Sequence, residues 1–140
     1  MYYDRIIRTL AHAGIKVFIT INHYAMPIAI VGKYGGWRHR DVIDLYLKMA
    51  KFVVYRWQEN VDYWLPINEI NSGYFSPYNG LGIIGSIDHS YDYQAVFNGL
   101  HYQMIASALI TKYGRDIGVR GKFVCMVSCF DYYALHPTPE

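Results

Sequence analysis

The chain has 140 residues, of which 53% are hydrophobic and 17% charged, with 15 Tyr, 6 Phe, 3 Trp and a net charge of +2 with histidines neutral. That length argues for one domain, and the composition is that of a globular chain rather than a disordered one. The charge is too small and too dispersed for a nucleic-acid footprint, and no apolar run approaches the roughly 20 residues of a membrane span.

In chain order, residues 2–13 place Tyr3, Ile6, Ile7 and Leu10 at the spacing of one helix face, and Gly14 is a plausible stop. Residues 15–22, "IKVFITIN", are almost wholly apolar, which marks a strand buried in a parallel sheet. A loop over 23–38 leads to a helix over about 40–58. Its expected buried stripe is Val42, Leu45, Tyr46, Met49, Phe52, Val53 and Trp57, and Asp41 and Asp44 near its start complement the helix dipole. A short strand is expected at about 62–68. A glycine-rich loop follows over 69–89, and then a helix over 91–113, capped by Asp88 or Ser90 and ended by Gly114. Val96, Phe97, Leu100, Met104 and Ala108 share one face of that helix. The last strand is expected at about 122–129.

Strands alternating with helices imply βαβ units and a parallel α/β sheet, either doubly wound or a (β/α)8 barrel. In both, ligands sit at the carboxyl ends of the strands. Those ends carry Asn22-His23, Asn68-Glu69 and Phe130-Asp131.

Glu69 is the candidate for acid–base work, because poor hydration at the end of an apolar strand favours the protonated carboxyl that a general acid needs. A loop-start glutamate facing water is the alternative. His23 reads either as a donor to a substrate hydroxyl or as a histidine satisfied by backbone. No histidine, cysteine or carboxylate set has the spacing of a metal site, and nothing calls for a cofactor. "GLGIIG" at 80–85 matches a dinucleotide fingerprint by letters only; it follows no strand, opens no helix at once, and reads as a flexible loop. Cys125 and Cys129 would lie on one strand face roughly 13 Å apart, too far to bridge. Unpaired cysteines, and a start that opens directly into a charged amphipathic segment rather than a signal peptide, suggest a cytoplasmic protein.

Three stretches, "GIKVFITINHYAMPIAIVGKYGGW", "WLPINEIN" and "YQAVFNGLHYQMIASALITKYG", together resemble glycoside hydrolase family 1 across the whole chain. "NEIN" and "HYAMP" are most similar to bacterial 6-phospho-β-glucosidases. The resemblance implies a (β/α)8 barrel that hydrolyses β-glucosides or their 6-phosphates with retention. Residues 1–140 would form one partial domain, from the second helix to the fifth strand of that barrel. It implies Glu69 as general acid/base, Asn68 and His23 as ligands of the sugar hydroxyls, and Trp37 as a structural residue of the "GGW" turn. Pro66 and Ala25 depart from the family pattern: Pro66 stands inside a strand, and Ala25 stands where an acidic residue is common.

The family's nucleophile lies in a "TENG"-type motif, which this sequence lacks. Its other glutamates are Glu59, expected to be buried where its helix ends, and Glu140. Retention needs two carboxyls about 5–5.5 Å apart, so the chain alone is expected to be inactive. Three strands of a barrel leave two open edges, so self-association through them is expected. A non-catalytic carbohydrate-binding remnant and an unrelated α/β interaction module are the alternatives.

Overall fold

The structure is a computed structural model that describes residues 2–87, 90–131 and 133–136. The elements in order are α1 (Tyr2–His12), β1 (Phe18–Asn22), α2 (Ile28–Tyr34), a 3-10 turn (Gly36–Arg38), α3 (Val42–Trp57), β2 (Tyr63–Ile67), α4 (Ser72–Phe75), α5 (Pro77–Leu81), α6 (Tyr93–Asp116) and β3 (Lys122–Phe123). The three strands form one parallel sheet in the order β1-β2-β3. β2 is central, and Trp64, Leu65, Pro66 and Ile67 are all buried in it. β1 is an edge strand and is not fully buried as expected; Phe18 is 50% exposed because no strand covers its outer side among the described residues.

Both long helices bear out the expected stripe in part: Val42, Tyr46 and Val96 are buried and Val53, Trp57 and Leu100 pack against the core, while the remaining stripe residues are exposed. α3 buries Val42, Ile43, Tyr46, Leu47, Ala50 and Val54, while Leu45, Met49 and Phe52 are exposed. α6 buries Ala95, Val96, Gly99, Gln103, Ala106 and Ile110, and leaves Phe97, Met104 and Ala108 exposed. Each helix is apolar over more than one face. On α6 the buried face is built largely of small residues, whereas the bulky Phe97 lies at the surface with its ring 5.9 Å from that of Tyr74, and on α3 Leu45 and Met49 line a groove with Ile21 and Met26. Asp92 caps α6, its carboxylate accepting from the Ala95 N–H at 3.2 Å. The expected cap Asp88 lies outside the described residues, as does Glu140. Gly114 does not end the helix: it packs against the Phe123 ring, with no room for a Cβ, and α6 runs on to Asp116.

The two expected loops hold structure of their own. α2 and the 3-10 turn lie within 23–38, and α4 and α5 within 69–89. Trp37 is buried, its ring 5.8 Å from that of Tyr46, as its structural reading requires. Next to it, a Cβ on Gly36 would stand 2.4 Å from the carbonyl oxygens of Leu81 and Gly82. The "GLGIIG" segment is therefore packed rather than flexible, with Leu81 and Ile83 buried. Glu59 is exposed rather than buried.

β3 is far shorter than the expected 122–129, and Pro66 is the physical reason. On the β3 side, the carbonyls of Asp62 and Trp64 accept from the N–H groups of Lys122 and Val124, at 2.8 and 2.9 Å. The next residue facing that side is Pro66, which has no N–H to give. Its carbonyl is taken by the Tyr46 hydroxyl at 2.8 Å, a donor that burial keeps protonated by pushing the phenol well above its ordinary value. Beyond Phe123 the chain is held instead by Asn71. The Asn71 side chain donates to the Ser128 carbonyl at 2.7 Å and accepts from the Ser128 N–H at 2.9 Å. Cys125 and Cys129 are thus exposed thiols on an irregular segment, not on one strand face.

At the opposite end of the sheet, charges fasten the helices. Arg56 donates to both carboxylate oxygens of Asp4, at 2.8 and 2.6 Å, and the Trp57 indole N–H donates to the same group at 2.8 Å, tying α3 to α1. These bonds, the Arg56 one foremost, hold the Asp4 carboxyl far below the usual carboxylate range. Asp62 is lowered in the same sense by the Val17 N–H and by Lys16.

Three outcomes follow. Tyr46→Phe leaves the buried Pro66 carbonyl without its donor and is expected to cost about 1–3 kcal/mol in urea unfolding. Asn71→Ala is expected to speed amide exchange at Ser128 by about an order of magnitude, the worth of one hydrogen bond, while β2 amides stay protected. A depressed carboxyl stabilises the fold above its unfolded value and loses that contribution as pH falls. The stability gap between the wild type and Asp4→Asn should therefore be constant near neutral pH and close as pH drops below about 4.

Candidate active site

The candidate residues lie where β1 and β2 end side by side. Asn22 pairs with Ile67 in register, and the Asn68 N–H donates to the Asn22 carbonyl at 2.9 Å. This bond carries the ladder one step past β2 and sets His23 and Asn68 next to each other at the sheet's rim. Asn68 is 5% exposed, Glu69 is half-buried and His23 is exposed. Asp131, at the third expected strand end, is exposed on the segment beyond β3.

Both chain exits are sharply bent. Tyr24 has φ +63° and Glu69 has φ +38°, the only residues other than glycine with positive φ among those described. The Tyr24 bend is closed by the Ala25 N–H, which donates to the His23 carbonyl at 2.8 Å. After Glu69, the Ser72 N–H donates to the Glu69 carbonyl, also at 2.8 Å. Left-handed backbone costs a residue with a side chain on the order of 1–3 kcal/mol and persists only where the surroundings impose it. Here the imposed bends turn the two side chains toward each other: the Tyr24 hydroxyl donates to Oε2 of Glu69. The His23 ring meets the Tyr24 ring edge-on, at 5.2 Å and 89°.

Of the three residues the sequence singled out, the fold brings Asn68 and Glu69 together by adjacency and His23 to them by strand pairing. It adds Tyr24, which sequence reasoning passed over. The only signal was its place beside His23, since its partner lies 45 residues away. An apolar groove of about 520 Å³ flanks the site on the α3 side, lined among others by Ile21, His23, Met26, Tyr46 and Met49. Among the described residues, no three His, Cys, Asp or Glu side chains gather as a metal would require, and no helix is long and apolar enough to cross a membrane.

The site can hold a carboxyl at fixed orientation beside a buried amide and an exposed imidazole, a set suited to gripping hydroxyls and moving a proton. Residues 1–140 match the model of Glycosyl hydrolase family 1. The chain is 37% identical over 139 residues to the aryl-phospho-beta-D-glucosidase BglH of Bacillus subtilis (strain 168), and 38% identical over 139 residues to a 6-phospho-beta-glucosidase of Dickeya chrysanthemi. Each match takes in 99% of this chain and 29% of the relative. Among solved structures, a family 1 β-glucosidase from Thermotoga maritima superposes with a TM-score of 0.78 at 25% identity, over 99% of this chain and 30% of that one. A Thermotoga maritima family 1 glycoside hydrolase, complexed with a cyclophellitol analogue transition state mimic, gives 0.80 at 24% identity over the same shares. The parallel sheet described above is an open piece of their (β/α)8 barrel, and the chain spans less than a third of their length. It belongs to glycosyl hydrolase family 1.

Proposed function

We propose that this chain carries the proton-donating half of a retaining β-glycosidase that acts on β-glucosides bearing a 6-phosphate. The observation that supports this best is Glu69 at the carboxyl end of the buried central strand, beside Asn68 and within reach of Tyr24. In this reading Glu69 protonates the leaving oxygen and later draws the proton from water. Asn68 and His23 hold hydroxyls of the sugar being cleaved: Asn68 offers a donor and an acceptor from a buried position, and His23 a ring nitrogen from an exposed one. The relatives' names, aryl-phospho-beta-D-glucosidase and 6-phospho-beta-glucosidase, support the phosphorylated substrate.

Retention needs a second carboxyl about 5–5.5 Å from the first, and among the described residues no other glutamate sits at a strand end of the sheet. Turnover therefore requires further βα units, and the outer edges of β1 and β3, which no strand covers among the described residues, are the surfaces they would pair with. Without those units the same surfaces favour self-association of the chain. The exposed free cysteines fit a reducing, cytoplasmic setting.

The test has two arms. The 140-residue chain alone should release no chromophore from a para-nitrophenyl β-glucoside or its 6-phosphate, and should sediment as oligomers. Grafted into the Bacillus subtilis BglH relative in place of the matching 29%, it should support hydrolysis of the 6-phosphate. There, Glu69→Gln should lower kcat about 10²–10⁴-fold. Turnover of the graft that survives Glu69→Gln would sink the assignment, and a compact monomer would sink the self-association.

A further inference from the structure

We propose that Tyr24 is the positioning residue for Glu69, holding Oε2 of the carboxyl and so leaving Oε1 as the oxygen that carries the proton. The inference rests on the reading of Glu69 as proton donor and adds what that reading leaves open, namely which oxygen acts and what aims it.

The argument begins with the hydrogen-bond inventory of the carboxyl. The Tyr24 hydroxyl donates to Oε2, and Oε1 has no hydrogen-bond partner among the described residues. A protonated carboxyl carries its hydrogen on one oxygen and accepts through the other. An oxygen already accepting from a phenol is the carbonyl-like one, so the proton belongs on Oε1. When the proton leaves, the same phenol remains as donor to the carboxylate. The contact therefore suits both states of the acid and needs no rearrangement between them.

The bond is also built rather than incidental. It joins the two residues other than glycine that hold left-handed backbone among those described. A surface tyrosine swinging freely would not need such a bend. Here the bend is fixed by the Ala25-to-His23 hydrogen bond on one side, and the ring is braced edge-on by His23 on the other. The backbone bend and the His23 ring contact together aim the phenol at the carboxyl, which is what precise placement of an acid needs. His23 thus acts twice, as a candidate sugar ligand and as the brace of the phenol. Phenylalanine at position 24 would keep the packing and lose the donor.

Residue-resolved carboxyl labelling of the 140-residue chain tests this without requiring turnover. With a water-soluble carbodiimide and an amine, followed by peptide mass spectrometry, Glu69 in Tyr24→Phe should label about 3- to 10-fold faster than in the wild type, the effect of freeing one hydrogen-bonded oxygen. Exposed Glu59, read from the same digest, should not change. Far-ultraviolet circular dichroism checks that the variant folds. A second measurement does not depend on that variant. In a chain labelled with 13C at tyrosine Cζ, Glu69→Gln should move one of the 15 tyrosine signals and leave the rest in place. Equal Glu69 labelling in folded Tyr24→Phe, or no tyrosine signal that moves with Glu69→Gln, would overturn the positioning role while leaving the acid assignment standing. The converse pattern, altered labelling with a graft whose turnover ignores Glu69→Gln, would keep the contact and overturn its catalytic meaning.

Discussion

The register between β1 and β2 is the constraint on which the rest of this molecule depends. Asn22 stands opposite Ile67, and the Asn68 N–H closes on the Asn22 carbonyl. From that pairing, His23 and Asn68 emerge side by side at the rim of the sheet. A one-residue slip would send every side chain of β2 to the opposite face and part these two positions. The slip is opposed by the interior of β2, where Trp64, Leu65 and Ile67 are buried, Trp64 stacked on the Phe123 ring. Hydrophobic burial therefore sets the register, and the register sets the chemistry.

β2 also carries the feature that shapes the far side of the sheet. Pro66 withholds an N–H, and Tyr46 takes up its carbonyl. The ladder to β3 stops there, and Asn71 holds Ser128 through two side-chain bonds in its place. An amide side chain offers the same donor and acceptor pair as a backbone unit, which is why asparagine can stand in for a strand neighbour. The proline thus costs pairing on one edge and leaves the site on the other edge intact, because Asn68 bonds toward β1 and not toward β3.

Family membership and partial length read together give this piece of structure its physical meaning. A closed barrel leaves no strand edge. Here α3 and α6 each expose apolar residues beside the ones they bury, and among the described residues no strand pairs with the outer edge of β1 or of β3. The exposed Leu45, Met49 and Phe52, like Phe97 and Met104, are therefore not anomalies of composition. Exposed apolar side chains grouped in this way are what a neighbouring surface would cover. A stripe found by periodicity alone is right only in part, with Val42, Tyr46 and Val96 buried but Leu45, Met49 and Phe97 exposed, because periodicity marks every apolar face and does not say which neighbour is present.

By itself the sequence determined the α-β-α-β-α-β order, the parallel sheet and the placing of Asn22-His23 and Asn68-Glu69 at strand ends. Those follow from short-range periodicity and from the alternation of apolar runs with helical spacing, both local properties of the chain. It also carried the family resemblance, in motifs contiguous enough to be read directly. Only the tertiary structure decided which face of each helix is buried, where β3 ends and which residue holds Glu69. Each of these depends on a partner far away along the chain. Pro66 meets Tyr46, Asn71 meets Ser128 and Tyr24 meets Glu69 across separations of 20, 57 and 45 residues. No local pattern encodes such pairs; they exist only once burial of β2 has fixed what lies beside what.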